Sequence, residues 1–110
     1  MIATIRLLDE HLMFSFYQCQ NEAQYIEMAK DFLAKGHYRI HVNMVTEGFE
    51  GDRAAEEMFD LTNNPDRQRE REERYGTERS ISVGDIISHG GIKYLCASRG
   101  WIPIHYALSC

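Results

Sequence analysis

The sequence is poor in the residues that build covalent or metal frameworks. Its three cysteines, Cys19, Cys96 and Cys110, are an odd number with no Cys-x-x-Cys spacing, so neither a disulfide framework nor a zinc knuckle is suggested. Thiols buried as small apolar groups are the expectation for Cys19 and Cys96. Long hydrophobic runs are missing as well: no stretch approaches the ~18 apolar residues that cross a bilayer. The opening Met1-Ile-Ala-Thr-Ile-Arg6 lacks the basic stretch and apolar block of a signal peptide, so a cytoplasmic location without a membrane partner is expected. Gly-x-Ser-x-Gly is absent, and no Ser or Cys stands in a nucleophile motif. The one Gly-Gly step, His89-Gly-Gly-Ile92, reads as a turn between strands, because no helical pattern follows it to present amide dipoles to a phosphate. Neither enzymatic activity nor a cofactor is therefore expected.

What is present is an ordinary globular composition. Hydrophobic residues make up 44% and charged residues 26% of the 110 positions, which argues against a disordered tail and a fibrous protein. A chain of this length is one domain that buries roughly two thirds of its unfolded surface. The net charge of −5 is unevenly spread: residues 1–65 carry 11 acids and 5 Lys/Arg, and residues 66–110 carry 6 acids and 7 Lys/Arg. Acidity of the first part repels phosphate backbones, which makes nucleic acid an unlikely partner and a protein with a basic surface the favoured one.

Periodicity assigns the elements. Residues 2–8 and 12–18 are short apolar runs around Asp9-Glu10-His11, read as a β-hairpin or two adjacent strands, with Leu12, Phe14 and Phe16 toward the core. Asn21 offers an N-cap, and Tyr25, Met28, Ala29, Phe32 and Leu33 recur at helical spacing until Gly36. From His37 to Val45 the period becomes two, with Tyr38, Ile40, Val42 and Met44 on one side and His37, Arg39, His41 and Asn43 on the other. Asp52 is placed as the cap of a second helix with Ala55, Met58, Phe59 and Thr62 inside, ended by Asn63-Asn64-Pro65.

Asp66 to Arg79 holds five arginines, five acids and almost nothing apolar but Tyr75. This segment is either a charged helical extension or a mobile loop; without apolar groups to bury, it is expected to be the least ordered part of the chain. Residues 80–83, 85–88, 92–97 and 102–106 read as a meander of strands. The expected fold is a single α+β domain over residues 1–110, a mixed or antiparallel sheet of five or six strands with two helices on one face.

The run Arg79-Ser-Ile-Ser-Val-Gly-Asp-Ile-Ile87, then Gly91, Tyr94 and Arg99-Gly-Trp101, preceded by the helix Ala54 to Asn64, resembles small proteins of phages, plasmids and conjugative elements, including those with YodL-like domains. The resemblance covers residues 54–102. It implies a mobile genetic element as habitat and carries no activity with it.

Three groups of side chains are candidates for function. Glu47, Glu50, Asp52, Glu56, Glu57 and Asp60 put six carboxylates within 14 residues, with Asp52, Glu56 and Asp60 on one helix face. A solvated surface is the plain reading; the functional one is an acidic strip that fits a basic groove in place of a phosphate backbone. Arg67, Arg69, Arg71, Arg74 and Arg79 are the basic cluster and the support for the alternative, a nucleic-acid-binding regulator, although neighbouring acids at i, i+4 spacing would neutralise much of it. His37 and His41 share a strand face; two ligands are not a metal site, and a third would have to come from His11, His89 or His105. Trp101 is read as a core anchor. The function expected is a non-enzymatic accessory protein of a phage or plasmid that binds a host or element protein through its acidic surface, inhibition of a defence nuclease being the most specific form.

Overall fold

In β1, Ile2–Leu8, Ala3, Ile5 and Leu7 are fully buried while Thr4 and Arg6 are half-buried, the two-residue period of a packed strand. The computed structural model describes residues 2–46 and 48–104. With β2 (Tyr38–Val45), β3 (Ile86–His89), β4 (Ile92–Cys96) and β5 (Trp101–Ile104), β1 builds a five-stranded sheet of order β2-β1-β3-β4-β5. Every neighbouring pair is antiparallel, within the α+β class expected. Gly90 and Gly91, at φ 61° and 81°, make the tight β3–β4 turn that side-chain-bearing residues resist. Of the strand expected at 102–106, His105 and Tyr106 lie outside the described residues.

Helices cover both faces of the sheet, not one as the pattern had indicated. Helix α1 (Glu22–Ala34) and a 3-10 helix (Glu10–Gln18) pack against Leu8, Ile86, Leu95, Ile102 and Ile104. Helix α2 (Asp52–Asn63) packs Ala55, Met58 and Leu61 against Ala3, Ile5, Leu7, Met44, Ile87 and Tyr94 on the other face. The cause is topological. β2 and β3 both lie antiparallel to β1, hence parallel to each other, and such a relation needs a crossover, which α2 and α3 (Gln68–Arg74) provide. Each fully buried aliphatic side chain contributes roughly 1.5–3 kcal/mol.

Residues 12–18 are not a strand. The 3-10 helix has three residues per turn, so Met13, Phe16 and Cys19 pack inward, and Phe14, expected beside Phe16, is 75% exposed. In β2 the alternation breaks: Ile5 stands opposite Val42 but Arg6 opposite Ile40, leaving His41 as a bulge. Beyond it the faces exchange, so Ile40 turns out to solvent, 58% exposed, and Arg39 turns to the α2 side.

Ser80 to Val83 form a loop where a strand was expected, because their polar groups are engaged locally. Ser80 Oγ donates to the Thr62 carbonyl at 2.7 Å, the Ile81 amide to Thr62 Oγ1 at 3.1 Å and the Ser82 amide to Asp85 Oδ2 at 2.8 Å. Asn21 caps α1 as expected, accepting from the Gln24 amide at 3.0 Å. Asp52, in contrast, is the first residue inside α2, and Gly51 takes the cap position without a side-chain bond.

Candidate functional site

The acidic strip and the basic cluster, expected as rival sites, are each other's partners. Pro65 starts a short 3-10 turn, Pro65–Arg67, that reverses the chain and brings Arg67 back over α2. The guanidinium meets Glu57 as a fork, Nη1 to Oε1 at 2.9 Å and Nη2 to Oε2 at 2.8 Å. It also donates to Asp60 at 2.8 Å and to both oxygens of Glu70, at 3.0 and 2.9 Å. Paired forks of this kind are the strong form of a charge-assisted hydrogen bond. Glu57 and Glu70 raise the Arg67 pKa far above its ordinary value. Arg67 and then Arg74 hold the Glu70 carboxyl below its ordinary range. Arg74 reaches Glu70 at 2.8 Å and the Val45 carbonyl at 3.3 Å.

Two further arginines are consumed by the fold. Arg71 donates to the Thr62 carbonyl at the end of α2 at 2.7 Å, to Ser80 Oγ at 2.9 Å and to the Glu78 carbonyl, and lies over the Tyr75 ring. Arg79 grips the fully buried Asp85 with both terminal nitrogens, at 2.7 and 2.8 Å, and donates to the Leu8 carbonyl at 2.7 Å. Gly84, at φ +96°, leaves no room for a Cβ, which would stand 2.9 Å from the Phe16 ring and 3.0 Å from Leu8. Its carbonyl accepts from Tyr38 Oη at 2.5 Å. The Arg-Ser-x-Ser-Val-Gly-Asp run is therefore a structural clamp. Of the five arginines, Arg69 alone is exposed with no ion pair or hydrogen bond among the described residues. Within residues 66–79 the structure has the end of the 3-10 turn Pro65–Arg67 and the helix α3, Gln68–Arg74, followed by a loop, and Tyr75 is buried against the α2 side of the core.

The outward side of α2 keeps an open groove. Its volume is about 380 Å³, and Phe49, Arg53, Glu56, Glu57 and Asp60 line it. On the other side of Phe49 a hollow of about 280 Å³ is lined by Val45, Thr46, Glu57, Met58 and Arg74. Phe49 thus forms an aromatic wall on the loop before α2. Sequence reasoning passed over it; its setting between Gly48 and Gly51 was the available signal. Asp52, Glu56 and Asp60 are all exposed, and Glu56 accepts from the Trp101 indole N–H at 2.8 Å. Trp101 is half-buried, edge-on to Phe59. Glu50 is exposed; Glu47 lies outside the described residues. The groove lining carries three carboxylates (Glu56, Glu57, Asp60) and one guanidinium (Arg53), an excess of negative charge that Arg67 reduces through its pairs with Glu57 and Asp60.

The histidines are dispersed. His37 lies 3.1 Å from Asp9 Oδ2, His41 2.9 Å from the Tyr75 carbonyl, and buried His89 2.8 Å from Thr46 Oγ1. No three His, Cys, Asp or Glu side chains among the described residues gather as a metal-ligand set. Burial pushes the Cys96 thiol up to about 12, which leaves almost no thiolate at neutral pH. No helix among the described residues is long and apolar enough to cross a membrane. In comparisons with known proteins, no family model matches the chain, and no curated protein or solved structure matches it.

Proposed function

We propose that the chain is a non-enzymatic binding module that takes a basic protein surface on the α2 groove. The observation that carries this reading is the Phe49-walled groove with its surplus of carboxylates. An arginine or lysine of the partner finds an aromatic face for a cation–π contact and the carboxylate of Glu56 beside it. Glu50, Asp52 and Glu56 supply long-range attraction; Glu57 and Asp60 have a double duty, because they also hold Arg67. The resemblance over residues 54–102 supplies the setting: a phage or plasmid accessory protein acting on a host or element protein in the cytoplasm. Inhibition of a defence nuclease, whose groove the carboxylates occupy in place of DNA phosphates, is the most specific form. The alternative use of residues 67–79 as a nucleic-acid contact has Arg69 as its one arginine without an internal partner among the described residues.

Trp101, the single tryptophan, reports on Glu56 through their hydrogen bond. An arginine-rich peptide titrated into the protein changes Trp101 fluorescence saturably, and the affinity falls with added salt. Glu50→Gln/Asp52→Asn/Glu56→Gln weakens binding about tenfold or more and flattens the salt dependence. Equal affinity of the triple variant removes the reading. Tight DNA or RNA binding lost on Arg69→Ala favours the alternative instead.

A further inference from the structure

Helices cover only part of the sheet face on which α1 packs. The far half of β1 and β2 is open: Ile2, Ile40 and Val45 are 59%, 58% and 59% exposed. The strand register makes these residues one surface. Val45 stands opposite Ile2, Asn43 opposite Thr4, and Ile40 opposite Arg6, three rungs roughly 7 Å apart. Thr4 Oγ1 donates to Asn43 Oδ1 at 2.7 Å, closing the middle rung on itself. Arg6 donates to Ser88 Oγ at 2.7 Å and has no carboxylate partner among the described residues. In a chain with 17 acids, none of the residues of these rungs is acidic.

We infer that this open face docks an amphipathic helix with an acidic flank, apolar side chains on Ile2, Ile40 and Val45 and a carboxylate on Arg6. The cation without a carboxylate selects the sign of the flank. The three rungs span ~14 Å, the rise of about nine helical residues, so an apolar stripe of about two and a half turns reaches from Ile40 to Val45. Other occupants fit less well. A strand added to the edge of β2 meets the His41 bulge, the Arg39–Glu78 ion pair at 3.0 Å and Arg74 on the Val45 carbonyl, features that obstruct edge pairing. A second copy of the face offers Arg6 no carboxylate, because none of the residues of these rungs is acidic. By strand register Ile2, Thr4, Arg6 and Ile40 lie across the sheet from the α2 groove. Val45 also borders the hollow beside Phe49, so the shifts of Thr4, Arg6 and Ile40 are the ones that separate this inference from the function proposed for that groove.

The test uses the isotope-labelled full chain and two stapled helical peptides that share a leucine stripe, one flanked by glutamates and one by lysines. The glutamate peptide shifts the amide resonances of Thr4, Arg6, Ile40 and Val45 and binds about tenfold tighter than the lysine peptide. Arg6→Glu inverts that order; should it fail to fold, Arg6→Gln brings the two affinities level. Ile40→Asp removes binding of both. Equal affinities for wild type, shifts confined to α2, no saturable binding of either peptide, or concentration-dependent β2 shifts without peptide overturn the inference.

Discussion

Replacing Arg79 by Ala tests the clamp at its centre. The Asp85 carboxylate is fully buried and accepts four hydrogen bonds, from the Leu8 and Ser82 amides at 2.8 Å each and from Arg79 at 2.7 and 2.8 Å. Without the guanidinium its charge stays in the core with two amide donors. Breaking a buried pair from one side costs about 3–5 kcal/mol. The remaining amides offset part of that, and Arg79 retains 18% side-chain exposure, so we expect about 3–4 kcal/mol. A domain with roughly 5–15 kcal/mol to lose stays folded in buffer. Urea unfolding followed by Trp101 fluorescence reads the loss: with m of about 2 kcal/mol/M, the midpoint falls by about 1.5–2 M. Arg79→Ala/Asp85→Asn is more stable than Arg79→Ala, because no charge remains to bury. A midpoint change under about 0.5 M at constant m refutes the reasoning.

Other expectations follow from the same contacts. Gly84→Ala costs about 2–4 kcal/mol in urea unfolding, from the positive φ and from the overlap with Phe16 and Leu8. Arg67→Ala costs only about 1–2 kcal/mol, since the network is partly exposed, and it raises affinity for an arginine-rich peptide by freeing Glu57 and Asp60. Glu70 and Glu78 are held below their ordinary value of 4.5, Glu70 chiefly by Arg67 and Glu78 chiefly by the Arg79 amide. Depressed carboxylates stabilise the fold above that value and cease to as pH falls through the folded one, so the urea midpoint is flat near neutrality and declines below about 4.5. Cys96 and Tyr75 are each pushed up to about 12 by burial, from 9.0 and 10.0. Their stabilisation is complete below pH 9.0 and is lost as pH rises toward 12, and native Cys96 resists alkylation until urea unfolds the chain.

Elements with a clean local period were legible in the sequence. α1, with its Asn21 cap and stripe from Tyr25 to Leu33, and β1 with β3 and β4 needed no long-range information. Residues 12–18 misled because Leu12, Phe14 and Phe16 fit a two-residue period, whereas in the 3-10 helix Leu12, Met13 and Phe16 turn toward the core and Phe14 toward solvent. The His41 bulge is set by pairing with β1, which local pattern does not contain, and with it went the common face of His37 and His41. The distribution of helices over both sheet faces follows from strand order, equally invisible to periodicity. For the candidate site, the acids were found but their neutralisation was not: Arg67 reaches Glu57 ten residues back only because Pro65 turns the chain. The motif at 79–85 carried a resemblance without an activity, and in the structure its residues bind one another, Asp85 accepting from Arg79 and from the Ser82 amide.

The proposed function requires a basic partner that engages the carboxylates beside Phe49. The most direct measurement is the set of proteins retained by the immobilised full chain from cells of a natural host, compared with that retained by Glu50→Gln/Asp52→Asn/Glu56→Gln and identified by mass spectrometry. A basic protein held by the wild-type chain, released by salt and missing from the folded triple variant, is the predicted result. The same partner retained equally by both, at any salt concentration, contradicts it.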